Sequence, residues 1–153
     1  MKHKIHLRRE VPTGSAGLGL TAAAKAVLDR ARARPSELTI VLTDSRRIRR
    51  LNARFAGRDA VTDVLAFPSA DESSSSSVRY LGDVVIALPR ARAQARRSRV
   101  PLSHELCLLT VHGTLHLIGH DHARLVDRRR MWRLQASVLR RLGLDPERLG
   151  VAT

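Results

Sequence analysis

The chain contains little cysteine, few aromatic side chains and few acidic residues. Its one cysteine, Cys107, cannot form an internal disulfide, which fits a protein of the reducing cytosol. Only four of the 153 residues are Phe, Tyr or Trp, so the core must consist mainly of Leu, Val, Ile and Ala. Hydrophobic residues make up 43% of the chain. This content is sufficient for one folded domain, which we expect to span residues 1–153.

Long hydrophobic runs are also absent. No stretch approaches the roughly 18 consecutive apolar residues that a membrane-spanning helix needs. The first ten residues, MKHKIHLRRE, contain no apolar segment of the kind found in secretory signal peptides. We therefore expect a cytoplasmic protein without a membrane partner.

Basic residues outnumber acidic ones two to one. The chain has 28 Lys and Arg against 14 Asp and Glu, which gives a formal net charge of +14. Nearly all of the basic residues are Arg, whose planar guanidinium group makes bidentate contacts with phosphate. This balance predicts an anionic partner, either a nucleic acid or an acidic membrane surface, and we favour a nucleic acid.

Hydrophobic periodicity and capping residues predict alternating strands and helices. Strands are expected at residues 3–9, 37–43, 62–67 and 80–88, and helices at 20–34, from Asp44 or Ser45 to 55, at 90–99, from an N-cap at Ser103 to Gly119, and in a last segment that ends at Gly143. No internal repeat and no linker divides these segments. The sequence therefore predicts one compact domain in which strands and helices interleave.

The segment VHGTLHLIGHDH, residues 111–122, concentrates histidines among apolar residues. On a helix, His112 and His116 lie about 40° apart on one face, so both imidazoles can reach one point. Gly119 can end that helix, and the following turn can bring His122 to the same point. Three neutral imidazoles with one open position are typical of a catalytic zinc site. We therefore predict one Zn²⁺ per chain, bound by His112, His116 and His122.

Two alternatives compete with this interpretation of the histidines. His120 continues the four-residue spacing and would be the third ligand if the helix did not end at Gly119. The spacing also resembles the HExxHxxGxxH motif of metzincin proteases, in which the second residue is the general base. That position is Gly113 here, and a glycine cannot accept a proton from water. The metal geometry is thus retained without the main catalytic group of a peptidase.

Three blocks of the sequence resemble the YbeY-type rRNA maturation endoribonucleases. The segment HGTLHLIGHDH is similar to the family signature HGxLHLxGYDH, with His120 in place of the usual Tyr. Residues 51–68, LNARFAGRDAVTDVLAFP, resemble the family block LNxxFRGKDxPTDVLSFP. Residues 81–87, LGDVVIA, resemble a third block, and the three occur in the expected order.

The second block departs from the family pattern at two positions. The family arginine that follows the aromatic residue aligns with Ala56, and the proline before TDV aligns with Val61. The resemblance implies that an arginine at this position contributes to RNA handling or catalysis. Arg54 and Arg58 flank the substituted position, and Arg58 stands where the family usually has Lys. We take Arg58 as the candidate catalytic residue.

The resemblance implies an α+β fold: a single compact domain with a small, mostly four-stranded mixed sheet, surrounding helices and a metal site on a central helix and the following turn. It also implies a zinc-dependent endoribonuclease that acts on the ribosomal RNA precursor and the small ribosomal subunit. Two other functions compete with it. One is a zinc-containing assembly factor that binds RNA without cutting it, and the other is a metalloprotease.

Overall fold

The structure is a computed structural model that describes residues 3–70, 77–120 and 125–151. These residues form four strands and five α-helices. The strands are β1 (Lys4–Arg9), β2 (Ser36–Thr43), β3 (Val64–Pro68) and β4 (Arg79–Ala87), and the helices are α1 (Leu20–Arg30), α2 (Ser45–Ala56), α3 (Leu88–Ser98), α4 (Leu102–Leu117) and α5 (Leu125–Arg141). A short 3-10 turn, Gly14–Gly17, precedes α1.

The four strands form one mixed sheet in the order β1-β2-β4-β3. Strands β1, β2 and β4 are parallel, whereas the edge strand β3 is antiparallel to β4. Parallel neighbours need a crossover connection, and α1 supplies the one between β1 and β2. The predicted α+β fold with a four-stranded mixed sheet is therefore confirmed.

The two faces of the sheet pack against different helices. Val84 and Ile86 of β4 belong to the apolar cluster that includes residues of α1 and α4. Val85 and Ala87, which point to the opposite face, cluster with Ile48 of α2. A further cluster joins α1, α4 and α5. Helix α4 is therefore central, because it lies between the sheet on one side and α5 on the other.

The predicted helix boundaries hold at α2 but not at the start of α4. The Asp44 carboxylate accepts a hydrogen bond from the Arg47 N–H at 2.8 Å, so Asp44 is the N-cap of α2. The predicted N-cap at Ser103 is wrong. Helix α4 begins one residue earlier, at Leu102, and Pro101 occupies the N-cap position. The Pro101 carbonyl accepts hydrogen bonds from the backbone N–H groups of His104 and Glu105.

Helix α4 ends in a left-handed turn at Gly119, as the sequence predicts. Gly119 has φ of +100°, a conformation that favours glycine. The Gly119 N–H donates to the His116 carbonyl at 3.0 Å, and the His120 N–H donates to the Leu115 carbonyl at 3.0 Å. These two bonds form a Schellman motif. His120 therefore lies beyond the helix and does not extend the face that carries His112 and His116.

Gly113 allows α4 to approach the sheet closely. A Cβ atom at this position would lie 2.5 Å from Cγ1 of Val84 and 3.4 Å from Cγ2 of Val64. Both valines belong to strands of the sheet, and Val84 is fully buried. The position therefore excludes any larger side chain, including the glutamate that a peptidase would need there.

No helix in the described part of the chain is both long enough and apolar enough to cross a membrane.

Candidate metal centre

Two of the three predicted metal ligands come together on α4. His112 and His116 lie one turn apart, and their Nε2 atoms are separated by 3.2 Å. The ring centroids are 4.7 Å apart with an angle of 73° between the planes. Both side chains are half-buried, whereas the residues between them on the helix are buried. The apolar neighbours fix the helix in the core and the imidazoles point to a cavity.

Gln135 of α5 orients the first of these histidines. Its side-chain Oε1 lies 2.9 Å from Nδ1 of His112, and the residue is 5% exposed. An amide oxygen only accepts hydrogen bonds, so the proton of the His112 ring is on Nδ1. This tautomer leaves the lone pair of Nε2 directed toward His116. A hydrogen bond to the outer ring nitrogen is the usual support of a metal-binding histidine.

The separation of the two Nε2 atoms fits a tetrahedral metal ion. With Zn–N bonds of about 2.0 to 2.1 Å, two ligand nitrogens of a tetrahedral site lie about 3.3 Å apart. The observed 3.2 Å agrees with that spacing without a change of backbone. The donor set also suits zinc, since neutral imidazole is one of its preferred ligands.

The third predicted ligand, His122, lies outside the described residues. Within residues 3–70, 77–120 and 125–151, no third His, Cys, Asp or Glu completes a set of three donors. His120 lines two other cavities, and Asp127 and Arg130 line one of them. Burial and the positive charge of Arg130 lower the pKa of its imidazole.

Two cavities meet at His112. The first, of about 410 Å³, is lined by Thr62, Asp63, both histidines of α4 and alternate residues of β3, namely Val64, Ala66 and Pro68. The second, of about 380 Å³, lies between α3, α4 and α5. Asp63, Val64 and His112 line both cavities. A ligand could therefore extend from the histidine pair into the second cavity without leaving the protein surface.

Two carboxylates line the second cavity. Asp63, which immediately precedes β3, accepts hydrogen bonds from the Val64 N–H at 2.8 Å and from Nε2 of Gln94 at 3.2 Å. Glu105 lies in the first turn of α4 and is 4% exposed. Burial, together with the nearby charge of Asp63, raises the pKa of Glu105 from 4.5 to about 7.

Glu105 is the acidic residue in the first turn of α4, where its charge complements the helix dipole. Its spacing of seven residues from His112 is a signal of a shared helix face, because seven residues are close to two turns. Gln135 carries no comparable signal, since it is 23 residues away on another helix.

The raised pKa of Glu105 predicts that replacing it with glutamine changes how stability depends on pH. A carboxyl whose folded-state pKa is raised favours folding at low pH, and this contribution is lost as pH rises from 4.5 to about 7. Chemical denaturation should be measured at about pH 5 and about pH 8. The decrease in unfolding free energy between these two pH values should be about 2 to 3 kcal/mol smaller in Glu105→Gln than in the wild type. The exposed Glu147→Gln control should behave like the wild type. If the pH dependence of stability is the same in Glu105→Gln as in the wild type, the pKa of Glu105 is not raised.

Arg58, the candidate catalytic residue, lies in the loop between α2 and β3. Its side chain is exposed, and its backbone N–H donates to the Asn52 carbonyl at 3.2 Å. The same loop leads to Thr62 and Asp63, which line the cavity at the histidine pair. Within the described ranges, no hydrogen bond or ion pair joins the Arg58 side chain to that pair. Arg58 precedes the cavity residue Thr62 by four positions in the chain, and its catalytic role stays a prediction.

Arginines are exposed on α3 and α5, which flank the second cavity, and on α2, which packs against the other face of the sheet. They include Arg46, Arg50 and Arg54 on α2, Arg90, Arg92, Arg96 and Arg97 on α3, and Arg129, Arg130 and Arg133 on α5. Arg97 also lines the cavity that contains Glu105. One positively charged side chain, that of Arg97, therefore lines the same cavity as the carboxyl groups of Asp63 and Glu105.

Comparison with known proteins places the chain in a family. The model of the family described as Endoribonuclease YbeY matches residues 13–143. A protein of that name from Anaeromyxobacter sp. (strain Fw109-5) is 43% identical over 141 residues, which cover 92% of this chain and 72% of that protein. Another from Sulfurihydrogenibium sp. (strain YO3AOP1) is 50% identical over 86 residues, which cover 56% of each chain.

A solved structure has a similar fold. The solution structure of TM1509 from Thermotoga maritima aligns with a TM-score of 0.57 at 21% identity, and the alignment covers 91% of both chains. At this identity, the likeness concerns the fold alone.

The mixed sheet, the central helix and its paired imidazoles define an α+β protein with a candidate metal centre. The chain belongs to the Endoribonuclease YbeY family.

Proposed function

We propose that the protein is a metal-dependent endoribonuclease that cuts single-stranded regions of ribosomal RNA during its maturation. The observation that carries this proposal is the pair His112 and His116, whose Nε2 atoms lie 3.2 Å apart in a chain of the Endoribonuclease YbeY family. The excess of basic residues supports a polyanionic substrate. The names of the relatives support cleavage of RNA by those proteins.

In this proposal one Zn²⁺ per chain is held by His112, His116 and His122. When bound, zinc acts as a Lewis acid on a phosphoryl oxygen and makes water a stronger nucleophile near neutral pH. Gln135 keeps the proton of His112 on Nδ1 and thereby keeps Nε2 available as a ligand. Gln94 and the Val64 N–H hold the Asp63 carboxylate at the junction of the two cavities.

The exposed arginines of α2, α3 and α5 would contact the RNA backbone in the same proposal. Guanidinium groups bind phosphate oxygens without reading the base sequence, so they would position the strand over the histidine pair. The RNA would be a ribosomal RNA precursor, which the protein would bind in the cytoplasm while the small ribosomal subunit assembles.

A second candidate function is that of a zinc-containing assembly factor that binds ribosomal RNA without cleaving it. The feature that favours it is Ala56, which replaces the arginine usual in the family. The names of the relatives favour the nuclease over this alternative. A peptidase is disfavoured, because the general-base position is Gly113 and the sheet excludes a side chain there.

One assay separates the three functions. Purified, untagged protein should cleave a single-stranded RNA and leave casein intact. A chelator should stop the cleavage and added Zn²⁺ should restore it. Binding of RNA without cleavage in either condition would favour the assembly factor, and hydrolysis of casein would favour the peptidase. Cleavage that persists in chelator would contradict a metal-dependent mechanism.

The role of Arg58 is tested against its neighbour Arg54. The Arg54 guanidinium carbon lies 5.2 Å from the centroid of the Phe55 ring, so its charge is already engaged on α2. Arg58→Ala should therefore lower the rate of RNA cleavage by about 10-fold or more, whereas Arg54→Ala should lower it less. Rates measured under single-turnover conditions decide between them. Equal effects would show that neither residue replaces the family arginine.

A further inference from the structure

The cavity of about 380 Å³ beside the histidine pair has a chemistry that differs from the rest of the surface. Most of the surrounding surface is basic, and Arg97 lines the cavity, but so do the carboxyl groups of Asp63 and Glu105. When both carboxyl groups are ionised, their charge exceeds that of the one guanidinium group and repels a phosphate group. The cavity is therefore suited to a neutral part of a ligand that donates hydrogen bonds, and not to the backbone of RNA.

Glu105 requires a partner, as does Oε1 of Gln94, a buried oxygen of the same cavity that accepts no hydrogen bond within the described residues. Glu105 is 4% exposed, and no hydrogen bond or ion pair to its carboxyl occurs among the described residues. The carboxyl oxygens of Glu105 are not completely buried, and a ligand in the cavity that Glu105 lines can reach them. Above its pKa of about 7, the ionised Glu105 carboxylate accepts two hydrogen bonds from one edge of a planar ligand.

The indole of Trp132 forms part of the same cavity. Trp132 lies on α5, three residues before Gln135, and its ring is half-buried. The Arg128 guanidinium carbon is 5.7 Å from the centroid of the ring. Aromatic side chains flanked by arginine are the usual platforms on which unstacked nucleobases lie.

We propose that this cavity binds one unstacked guanine base of the RNA substrate, stacked on Trp132, with the Glu105 carboxylate accepting its N1–H and N2–H groups. The proposal rests on the proposed function, because it takes RNA as the substrate. Guanine presents two adjacent donors to a carboxylate. Adenine and cytosine present an amino group only, and the N3–H of uracil is flanked by two carbonyl oxygens that the carboxylate repels. The expected preference is therefore guanine first and uracil last.

Binding is tested without cleavage by NMR, because the chain has a single tryptophan. The one indole N–H resonance should shift saturably when guanosine is added, and the affinity for guanosine should exceed that for uridine by about 10-fold. Glu105→Gln should lose most of this difference, while the Glu147→Gln control keeps it. Equal affinities for the two nucleosides, or an unchanged preference in Glu105→Gln, would overturn the proposal.

Cleavage supplies a second and separate test. In oligouridine carrying one guanosine, the cut should follow the guanosine as it is moved along the strand, and in Glu105→Gln it should not. Cuts that ignore the guanosine in the wild type would overturn the base pocket and leave the nuclease intact. Selective binding of guanosine with no cleavage of any RNA would count against the nuclease and support the pocket.

Discussion

His116→Ala should release the metal and reduce RNA cleavage by at least 100-fold, while the affinity for RNA changes little. The reason is that His116 contributes one of two nitrogens already spaced for a tetrahedral ion, whereas the phosphate-binding arginines lie on other helices. Metal analysis of untagged protein should give about one ion per wild-type chain and almost none for His112→Ala, His116→Ala and His122→Ala.

Two further variants sharpen this result. His120→Ala should keep the metal, because His120 lines other cavities than the one that contains His112 and His116. Gln135→Leu should still bind the ion, but with an affinity about 10 to 100 times weaker, since it loses the hydrogen bond to Nδ1 of His112. Loss of metal from His120→Ala, with retention by His122→Ala, would show that the third ligand is His120.

Gly113→Ala should destabilise the fold by about 2 to 3 kcal/mol, although alanine is the better helix former. Its methyl group would lie 2.5 Å from Cγ1 and 3.2 Å from Cγ2 of Val84, so helix and strand must separate. Chemical denaturation measures the loss. Adding Val84→Ala removes the clash. The double variant should therefore lose less unfolding free energy than the two single variants lose together, by about 1 kcal/mol or more.

Gly143→Ala is the matched control for this experiment. Gly143 has φ of +80°, and a Cβ there would meet nothing within 4 Å. Its replacement should therefore cost only the backbone strain of about 1 kcal/mol, and this cost should not depend on residue 84. A Gly113→Ala protein as stable as the wild type would show that α4 does not require the close approach to β4.

Local signals in the sequence are sufficient for most of the fold. Apolar alternation identifies β1, and a short β-rich run identifies the buried strand β2. Asp44 identifies the start of α2, and Gly119 identifies the end of α4. Ser103 led to a wrong prediction of where α4 begins. The Pro101 carbonyl already accepts the first helical hydrogen bonds, so the helix begins before Ser103 and does not need its side chain as a cap.

The spacing of His112 and His116 in the sequence is enough to predict that the two imidazoles lie side by side. His112 and His116 must share a face, because helical geometry places residues four apart side by side. The basic composition likewise predicts a polyanionic partner without reference to the fold.

Only the tertiary structure decided which residues from other elements reach that pair. Gln135 comes from α5 and Asp63 from the start of β3, and neither has a sequence relationship to His112 that indicates a contact. The burial that raises the pKa of Glu105 likewise depends on the packing of α3 and α5 around α4. Local periodicity is a property of one helix or strand, whereas these contacts depend on how separate elements pack, and no short segment of the chain contains that information.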